Sequence, residues 1–475
     1  MRNLAFILFF VSGFICAQTT TPAFFGNNMV LQQNNTVAIW GEDKPESTVK
    51  LETSWGVDKS TITNLDGTWR IEFETQAGSF LKQDLKIKGT SFLHYTNILV
   101  GEVWFCSGQS NMEMPMKGVN NSPINNSNQF LLDSKNPNIR LFDTERKGTL
   151  KPDTDVIGIW EEANAVSVKE FSAIGYIFAK NIQEKIKVPI GIISSAWGGT
   201  KIEAWMPQEI LLEYDDIKIS KVLEDKPYKR RTPSQIFNGM IHPFKDFKIK
   251  GFLWYQGESN RDQEKPELYK NYMNTLVKSW RNQWADTTLP FYFVQIAPYA
   301  YEKRSKSSKF KVALIREAQL KASEEIPNSG LVVTSDVGNC TDIHPAEKET
   351  IANRLSYWAL AKQYGYTGIW FKSPVYKSME VEKNKIIISF DFGLDINSGL
   401  SSYGKEINGF TIAASDGVFY PAKVIIDAKQ TLTVYSENVQ EPVAVRYGFQ
   451  DCIKGSLYSL GKLPISPFRT DNWLE

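Results

Sequence analysis

Short stretches of alternating apolar and polar residues run from Thr20 to about His94, which is the periodicity of half-buried β-strands. Turn-forming residues such as Asp66-Gly67 separate these stretches. The pattern predicts a small β-sandwich in residues 18–96. Its predicted strands are 37–40, 49–54, 69–73 and 85–88.

From residue 97 to about residue 371 the pattern changes to apolar segments that alternate with amphipathic ones. The apolar segments are too uniformly apolar for strands with one solvated face, which indicates a parallel sheet covered by helices on both sides. The predicted strands are 98–105, 188–195, 251–255, 291–296 and 331–335. The predicted helices are 171–187, 269–284, 314–324 and 345–363. We therefore expect an α/β fold with an open parallel sheet and helices on both faces.

A second β-rich region, residues 372–475, follows the α/β unit. Alternation of apolar and polar residues returns there, between turn-forming residues. The predicted strands are 386–392, 410–413, 422–426, 431–435 and 443–447.

The first 17 residues have the layout of a secretory signal peptide. Arg2 precedes an apolar run over residues 4–15, and the small Ala17 offers a cleavage position. The run is shorter than the ~20 apolar residues of a bilayer-spanning helix, so we expect no integral membrane span. We predict export to the periplasm or the cell exterior. Cys16 also fits a lipid-attachment site, although the bulky Ile15 before it argues against that alternative.

The balance of charges argues against nucleic acid as a partner. The chain has 54 Lys and Arg against 53 Asp and Glu, so its formal net charge is only +1 and no global field attracts a polyanion. The three histidines, His94, His242 and His344, lie at no ligand-like spacing to each other or to a cysteine. We therefore predict no metal site.

Two strand ends offer a candidate nucleophile and a candidate oxyanion hole. Ligands bind at the carboxyl ends of strands in an open α/β sheet, so the residues after each strand matter most. After strand 98–105, a turn containing Gly108 presents Ser110 near a helix N-terminus, although a helix N-cap is the commoner role of such a serine. After strand 188–195, Gly198-Gly199 lets a backbone N–H approach a ligand, with an ordinary turn as the alternative.

Two further strand ends supply a candidate base and a polar network. Asp342 and His344 share one short loop, so the carboxylate can orient Nδ1 of the ring and leave Nε2 for Ser110. Gln256 follows strand 251–255 and offers a side-chain amide to an oxyanion. Glu258 fits a network or substrate-orienting role, because a glycosidase would need a second, suitably spaced carboxyl group.

Taken in this order, the four strand-end motifs resemble those of the sialate O-acetylesterase branch of the SGNH hydrolases. The motifs are Gly108-Gln109-Ser110-Asn111-Met112, Gly198-Gly199-Thr200, Trp254-Tyr255-Gln256-Gly257-Glu258 and Asp342-Ile343-His344-Pro345. Residues 29–33, 101–104 and 467–471 also look like that branch, so the resemblance covers nearly all of the chain after residue 17.

The resemblance implies an SGNH-type fold and a serine esterase that removes acetyl groups from sugars without a cofactor. It implies that Ser110 is the nucleophile, His344 the base and Asp342 the residue that orients the base. It also implies an oxyanion hole made of the N–H groups of Ser110 and Gly198 with the amide of Gln256. The wider SGNH pattern has Asn where this chain has Gln256, so the resemblance is not exact at the residue that it implies as the third oxyanion donor.

Further predictions concern the substrate and the cysteines. We expect Asn111 and Glu258 to contact the substrate. The odd number of cysteines after residue 17 allows either one disulfide and a free thiol or three thiols. Cys106 and Cys340 each lie four positions before a proposed catalytic residue, which suggests the hypothesis of a disulfide that joins the two loops, with Cys452 left free.

Two alternative functions remain at this stage. An esterase for acetylated xylan or pectin would use the same catalytic residues. The second alternative is a non-catalytic glycan-binding protein that uses the flanking β-regions as binding modules. In that case the joint presence of Ser110, Asp342 and His344 would be a coincidence.

Overall fold

A computed structural model of the chain describes residues 18–217, 219, 232–261, 265–301, 310–393 and 398–473, so the predicted leader over residues 1–17 lies outside the described residues. The N-terminal region forms β1 (Val30–Gln32), β2 (Thr36–Glu42), β3 (Thr48–Thr53), β4 (Asp58–Ile62), β5 (Thr68–Glu74) and β6 (Ser79–Lys88). β2 pairs with β5, whereas β3 pairs with β4 and β6. Ile39 of β2 and Leu51 of β3 belong to one apolar core, as in a sandwich.

The middle of the chain alternates strands and helices. Its elements are β7 (Phe92–Gly108), α1 (Ser110–Glu113), α2 (Ser127–Leu132), β8 (Asn136–Asp143), β9 (Trp160–Ala163), α3 (Ala165–Glu170), α4 (Ala173–Ile186), β10 (Ile190–Ala196), α5 (Gln208–Leu211), β11 (Gly251–Tyr255), α6 (Tyr269–Gln283), β12 (Phe291–Val294), α7 (Lys311–Glu325), β13 (Ser329–Val332) and α8 (Lys348–Gln363). These strands pair with one another in parallel except the edge strand β9, which is antiparallel to β8. The first part of β7 also pairs antiparallel with β6, which joins the N-terminal strands to this sheet.

The order of strands in the central sheet determines where a ligand can bind. The order is β13-β12-β11-β7-β10-β8-β9. From β7 the chain passes to β8 and β9 on one side of the sheet and returns to β10 beside β7, and it then continues on the other side through β11, β12 and β13. Neighbouring connections therefore diverge at β7, and the crevice at a switch point of this kind is the usual ligand site of an open α/β sheet. Ser110 is the second residue after the end of β7.

Both faces of the central sheet are buried, which explains the uniformly apolar strands. Phe252 and Trp254 of β11 belong to one apolar cluster, whereas Leu253 and Tyr255 belong to another. Successive side chains of a strand point to opposite faces, so each cluster lies on one side of the sheet. Buried residues of α6 and α7 belong to the first cluster, and buried residues of α4 and α8 belong to the second.

The C-terminal region adds two four-stranded antiparallel sheets and a short ladder. Its strands are β14 (Val375–Glu382), β15 (Lys385–Asp391), β16 (Leu400–Ser401), β17 (Phe410–Ala413), β18 (Phe419–Pro421), β19 (Lys423–Ile426), β20 (Leu432–Tyr435), β21 (Ala444–Tyr447), β22 (Tyr458–Ser459) and β23 (Phe468–Arg469). Arg316 of α7 joins this region to the central unit, because its buried guanidinium donates to the carbonyl oxygens of Gln450 at 2.8 Å and Asp451 at 2.7 Å.

The structure confirms the predicted fold class, an open sheet of parallel strands with helices on both faces. The strand predicted at 251–255 has those same bounds, and the other four predicted strands of the sheet overlap observed ones. β8 and β9 were not predicted. The proposed boundary at residue 97 lies inside β7, and the division into three parts remains a prediction.

Candidate active site

A glycine turn presents Ser110 at the end of β7. Gly108 has a φ of +135°, and a Cβ atom at this position would lie 2.2 Å from the carbonyl oxygen of Tyr255 in the neighbouring strand. The turn is fastened there by the N–H of Gln109, which donates to the same carbonyl oxygen at 2.9 Å. Ser110 is the first residue of α1, and the N–H of a first-turn residue has no acceptor within its own helix.

The loop between β13 and α8 brings His344 to this serine. Its start is held by Asp336, whose carboxylate accepts two hydrogen bonds from Arg354 of α8, at 2.8 and 2.7 Å. At its other end, Nε2 of His344 lies 3.0 Å from Oγ of Ser110. Two side chains that are 234 positions apart in the sequence are therefore within hydrogen-bonding distance, as we expected from the order of strand ends.

Asp342 contacts the backbone of His344 more closely than its ring. Oδ1 of Asp342 accepts from the His344 N–H at 2.9 Å, whereas its distance to Nδ1 of the ring is 3.8 Å. The predicted hydrogen bond between the carboxylate and Nδ1 is therefore absent from the described geometry, although the two groups are close enough to interact electrostatically.

The environment of His344 favours the neutral imidazole. Burial lowers the pKa of its ring below 6.5, and the charge of Lys348 acts in the same direction, while Asp342 opposes both. A neutral ring has a free lone pair on one nitrogen and can accept a proton at neutral pH.

Gly198 lies against the serine, but its N–H is engaged. A Cβ atom on Gly198 would be 3.1 Å from Cβ of Ser110, so the two loops are in close contact. The Gly198 N–H donates to Oε2 of Glu113 at 2.8 Å, and Oε1 of the same carboxylate accepts from Nε of Arg146 at 2.5 Å. The predicted oxyanion donor is thus next to the nucleophile, with a carboxylate bound to it.

The amide of Gln256 faces the interior. Its side chain is fully buried, and Nε2 donates to Oδ1 of Asn260 at 2.7 Å and to the carbonyl oxygen of Thr200 at 3.0 Å. Tyr269 donates its hydroxyl proton to Oε1 at 2.7 Å. Because an amide nitrogen has two protons, these contacts leave none for an oxyanion. In this geometry Gln256 links the ends of β10 and β11, and its role as an oxyanion donor stays a prediction.

Asn111 and Glu258 also point inward, and a contact of either residue with the substrate stays a prediction. Asn111 is 1% exposed and Glu258 is 2% exposed. Nδ2 of Asn111 donates to Oε1 of Glu258 at 2.6 Å. The pair forms an internal contact between the nucleophile loop and the end of β11, and burial raises the pKa of Glu258.

The sequence reasoning missed Lys348, the first residue of α8. Its side chain is completely buried, and Nζ donates to Oδ1 of Asn111 at 2.5 Å. Burial lowers the pKa of this ammonium group to about 7, while Glu258 and Asp342 act in the opposite direction. A lysine near the start of a helix is usually solvated, so the sequence alone gives no sign of this burial.

The disulfide differs from the hypothesis of a Cys106–Cys340 bond, which is wrong. Cys340 is bonded to Cys452, so the base loop is tied to the C-terminal region. Cys106 is buried and unpaired among the described cysteines, and burial raises the pKa of its thiol. Cys106 lies in β7 and belongs to the apolar cluster that contains the buried residues of α4 and α8.

Within the described residues, no group of three or more His, Cys, Asp or Glu side chains is arranged to hold a metal ion. In the same part of the chain no helix combines the length and the apolar character of a membrane span.

The parallel sheet with Ser110 and His344 at its switch point has the architecture of an SGNH hydrolase. Comparison with protein families gives the more specific assignment. Residues 100–356 match the model of the family described as carbohydrate esterase, sialic acid-specific acetylesterase (SASA), and the chain belongs to this family. It is therefore a carbohydrate O-acetylesterase, a carboxylic ester hydrolase.

Individual relatives agree with this assignment. The chain is 27% identical to the sialate O-acetylesterase of Mus musculus over 487 residues, which cover 90% of this chain and 88% of the relative. It is 27% identical to the sialate O-acetylesterase of Homo sapiens over 78% of this chain and 76% of the relative. The crystal structure of a carbohydrate acetylesterase from Xanthomonas citri superimposes with a TM-score of 0.87 at 32% identity, covering 96% of this chain and all of that one.

Proposed function

We propose that the protein hydrolyses O-acetyl esters of sialic acids through an acetyl-enzyme intermediate, with Ser110 as nucleophile and His344 as general base. The observation that carries the mechanism is the 3.0 Å distance between Oγ of Ser110 and Nε2 of His344. The membership of the sialic acid-specific family supports the substrate.

The proposed reaction has three steps. Oγ of Ser110 attacks the acetyl carbonyl carbon while its proton moves to Nε2 of His344. The bond to the sugar oxygen then breaks, and His344 returns the proton to that oxygen. Water, deprotonated by the same ring, attacks the acetyl-enzyme, so that acetate leaves and the serine is restored.

The charges around the ring fit these steps. The lowered pKa keeps His344 neutral before attack. Asp342 stabilises the imidazolium that forms afterwards, from 3.8 Å, and holds the loop through the backbone N–H of His344. For the oxyanion, the Ser110 N–H is one donor, and the Gly198 N–H becomes a second when the substrate displaces the carboxylate of Glu113.

We also propose that residues 1–17 are an export signal and that the mature protein acts in the periplasm or outside the cell. The disulfide supports this, because disulfides persist mainly in oxidising compartments. The mass of the protein recovered from a bacterial periplasm tests the proposal. A mature chain beginning at Gln18 is expected, and a chain that retains Met1 would contradict it.

The decisive test of the mechanism is labelling with a serine-reactive phosphonate followed by peptide mass spectrometry. We expect one adduct, on Ser110, and a fall in kcat on the order of a millionfold for Ser110→Ala. Ser127→Ala, a half-buried serine at the start of α2, is the matched control and should be fully labelled and active. An adduct on another serine, or full activity of Ser110→Ala, refutes the proposed nucleophile.

The substrate requires a separate test, because an esterase for acetylated xylan would use the same residues. Release of acetate from O-acetylated N-acetylneuraminic acid is compared with release from acetylxylan at equal ester concentration. We expect a higher kcat/KM for the sialic acid. Acetate released from xylan alone would leave the mechanism standing and overturn the substrate.

A further inference from the structure

Three buried polar side chains form a chain of contacts behind the serine and the histidine, which we call the Lys348–Asn111–Glu258 bridge. Lys348 donates to Oδ1 of Asn111 at 2.5 Å, and Nδ2 of Asn111 donates to Oε1 of Glu258 at 2.6 Å. The bridge thus connects the start of α8, the nucleophile loop and the end of β11.

The bridge also reaches the base loop directly. Nδ2 of Asn111 makes a second hydrogen bond, at 3.1 Å, to the carbonyl oxygen of Ile343. Asn111 follows Ser110 and Ile343 precedes His344 in the sequence. One amide therefore fastens the neighbours of both proposed catalytic residues to each other.

The charges at the two ends determine which way this amide points. An ammonium group faces its oxygen and a carboxylate faces its nitrogen, so a flipped amide would present its own protons to Lys348 and its oxygen to Glu258. Because all three side chains are buried, both of those contacts would be strongly unfavourable. The observed orientation is thus the one in which Nδ2 can hold the Ile343 carbonyl.

Burying the polar groups of this bridge is energetically unfavourable. Oε2 of Glu258 has no hydrogen-bond partner among the described residues, and the ring of Tyr255 lies 5.9 Å from the ammonium group of Lys348. Burial lowers the pKa of Lys348 to about 7 and raises that of Glu258, so both ions are poorly solvated. Apolar side chains of similar volume often stabilise such a position better than a buried ion pair.

We propose that Lys348 is a positioning residue of the esterase: by fixing the orientation of Asn111 it holds the base loop so that His344 stays within reach of Ser110. This inference rests on the proposed function, since it assumes that these two residues are the catalytic pair. Displacement of a catalytic group by about 1 Å can cost about a hundredfold in rate.

The experiment compares Lys348→Met with the double variant Lys348→Met/Glu258→Gln, using p-nitrophenyl acetate as substrate. Lys362→Met, an exposed lysine on the same helix, is the matched control. Thermal unfolding and the rate of phosphonate labelling are measured for each protein. Lys348→Met should lower kcat about a hundredfold with KM changed less than about threefold, because the substitution displaces the base and leaves Ser110 and the proposed oxyanion donors in place.

The double variant separates positioning from stability. It removes both buried charges, so its melting temperature should recover toward that of the wild type, while kcat and the labelling rate stay at least about thirtyfold low because the amide of Asn111 is no longer fixed. Recovery of kcat together with stability would overturn the inference, as would a kcat of either variant within about threefold of the wild type. A wild-type protein that is not labelled on Ser110 would overturn the proposed function and this inference with it.

Discussion

Removal of the disulfide should destabilise the protein by an amount that its position allows us to calculate. The bond joins Cys340 and Cys452, which are 112 residues apart in the sequence. In the chain-entropy model, a closed loop of this length lowers the entropy of the unfolded chain enough to stabilise the folded state by about 5 kcal/mol at 25 °C. Measured values are usually between about 2 and 4 kcal/mol.

The perturbation is Cys340→Ser/Cys452→Ser in a protein that begins at Gln18. Cys340 is exposed and Cys452 is half-buried, so serine fits both positions without a buried, unpaired hydroxyl group. Guanidinium unfolding, followed by tryptophan fluorescence and by circular dichroism, should show a loss of about 2 to 5 kcal/mol in the free energy of unfolding. Wild-type protein unfolded in the presence of a reductant is the matched control and should coincide with the variant.

Thiol titration tests whether the Cys340–Cys452 bond is present in the protein. Denatured, unreduced wild-type protein beginning at Gln18 should expose one reactive thiol, that of Cys106, and three after reduction. Three thiols before reduction would show that the bond is absent. One thiol, combined with a loss of less than about 1 kcal/mol in the double variant, would refute the loop-entropy calculation, since the C-terminal region would then be held by other contacts.

Three further predictions concern the site. Gly108→Ala forces a Cβ atom to 2.2 Å from the Tyr255 carbonyl oxygen and should slow phosphonate labelling about a hundredfold or more; an unchanged rate would contradict the geometry. In the pH profile of kcat/KM, activity should fall as the pH drops through a midpoint below 6.5, where His344 gains its proton. Asp342→Asn should lower kcat and move this midpoint to a lower pH, because it removes an anion that favours the imidazolium. A shift of the midpoint to a higher pH would refute this explanation. Gln256→Leu removes one donor from each of two buried acceptors and should cost about 1 to 3 kcal/mol in guanidinium unfolding, whereas unchanged stability would argue against an internal role.

The sequence predicted the fold and the site best where a residue pattern is compatible with only one type of structure. The run at residues 251–255 is apolar on both faces, which only a doubly covered strand explains, and its bounds were predicted correctly. The pairing of Ser110 with His344 followed from the rule that parallel strands end at one edge of the sheet, and the two side chains are 3.0 Å apart.

The remaining features depend on tertiary contacts, which the local pattern of residues along the sequence does not reveal. β9 is four residues long with two adjacent glutamates, so its alternation is too short to recognise. The partner of Cys340 could not be deduced, because three cysteines allow several pairings. The roles expected of Gln256, Asn111 and Glu258 stay predictions for a related reason: polar residues at a strand end serve a ligand or the loops behind it, and the sequence pattern is the same in both cases.

The length of β7 has a consequence for anyone who engineers this enzyme. The strand contains 17 residues, pairs with β6 over its first part and with β10 and β11 over its last, and ends at the glycine before the nucleophile turn. Replacing the N-terminal region as a separate domain would therefore interrupt or shift the strand that leads to the nucleophilic serine. A slip of one residue anywhere along it would exchange the two faces of the strand and turn the nucleophile away from its base.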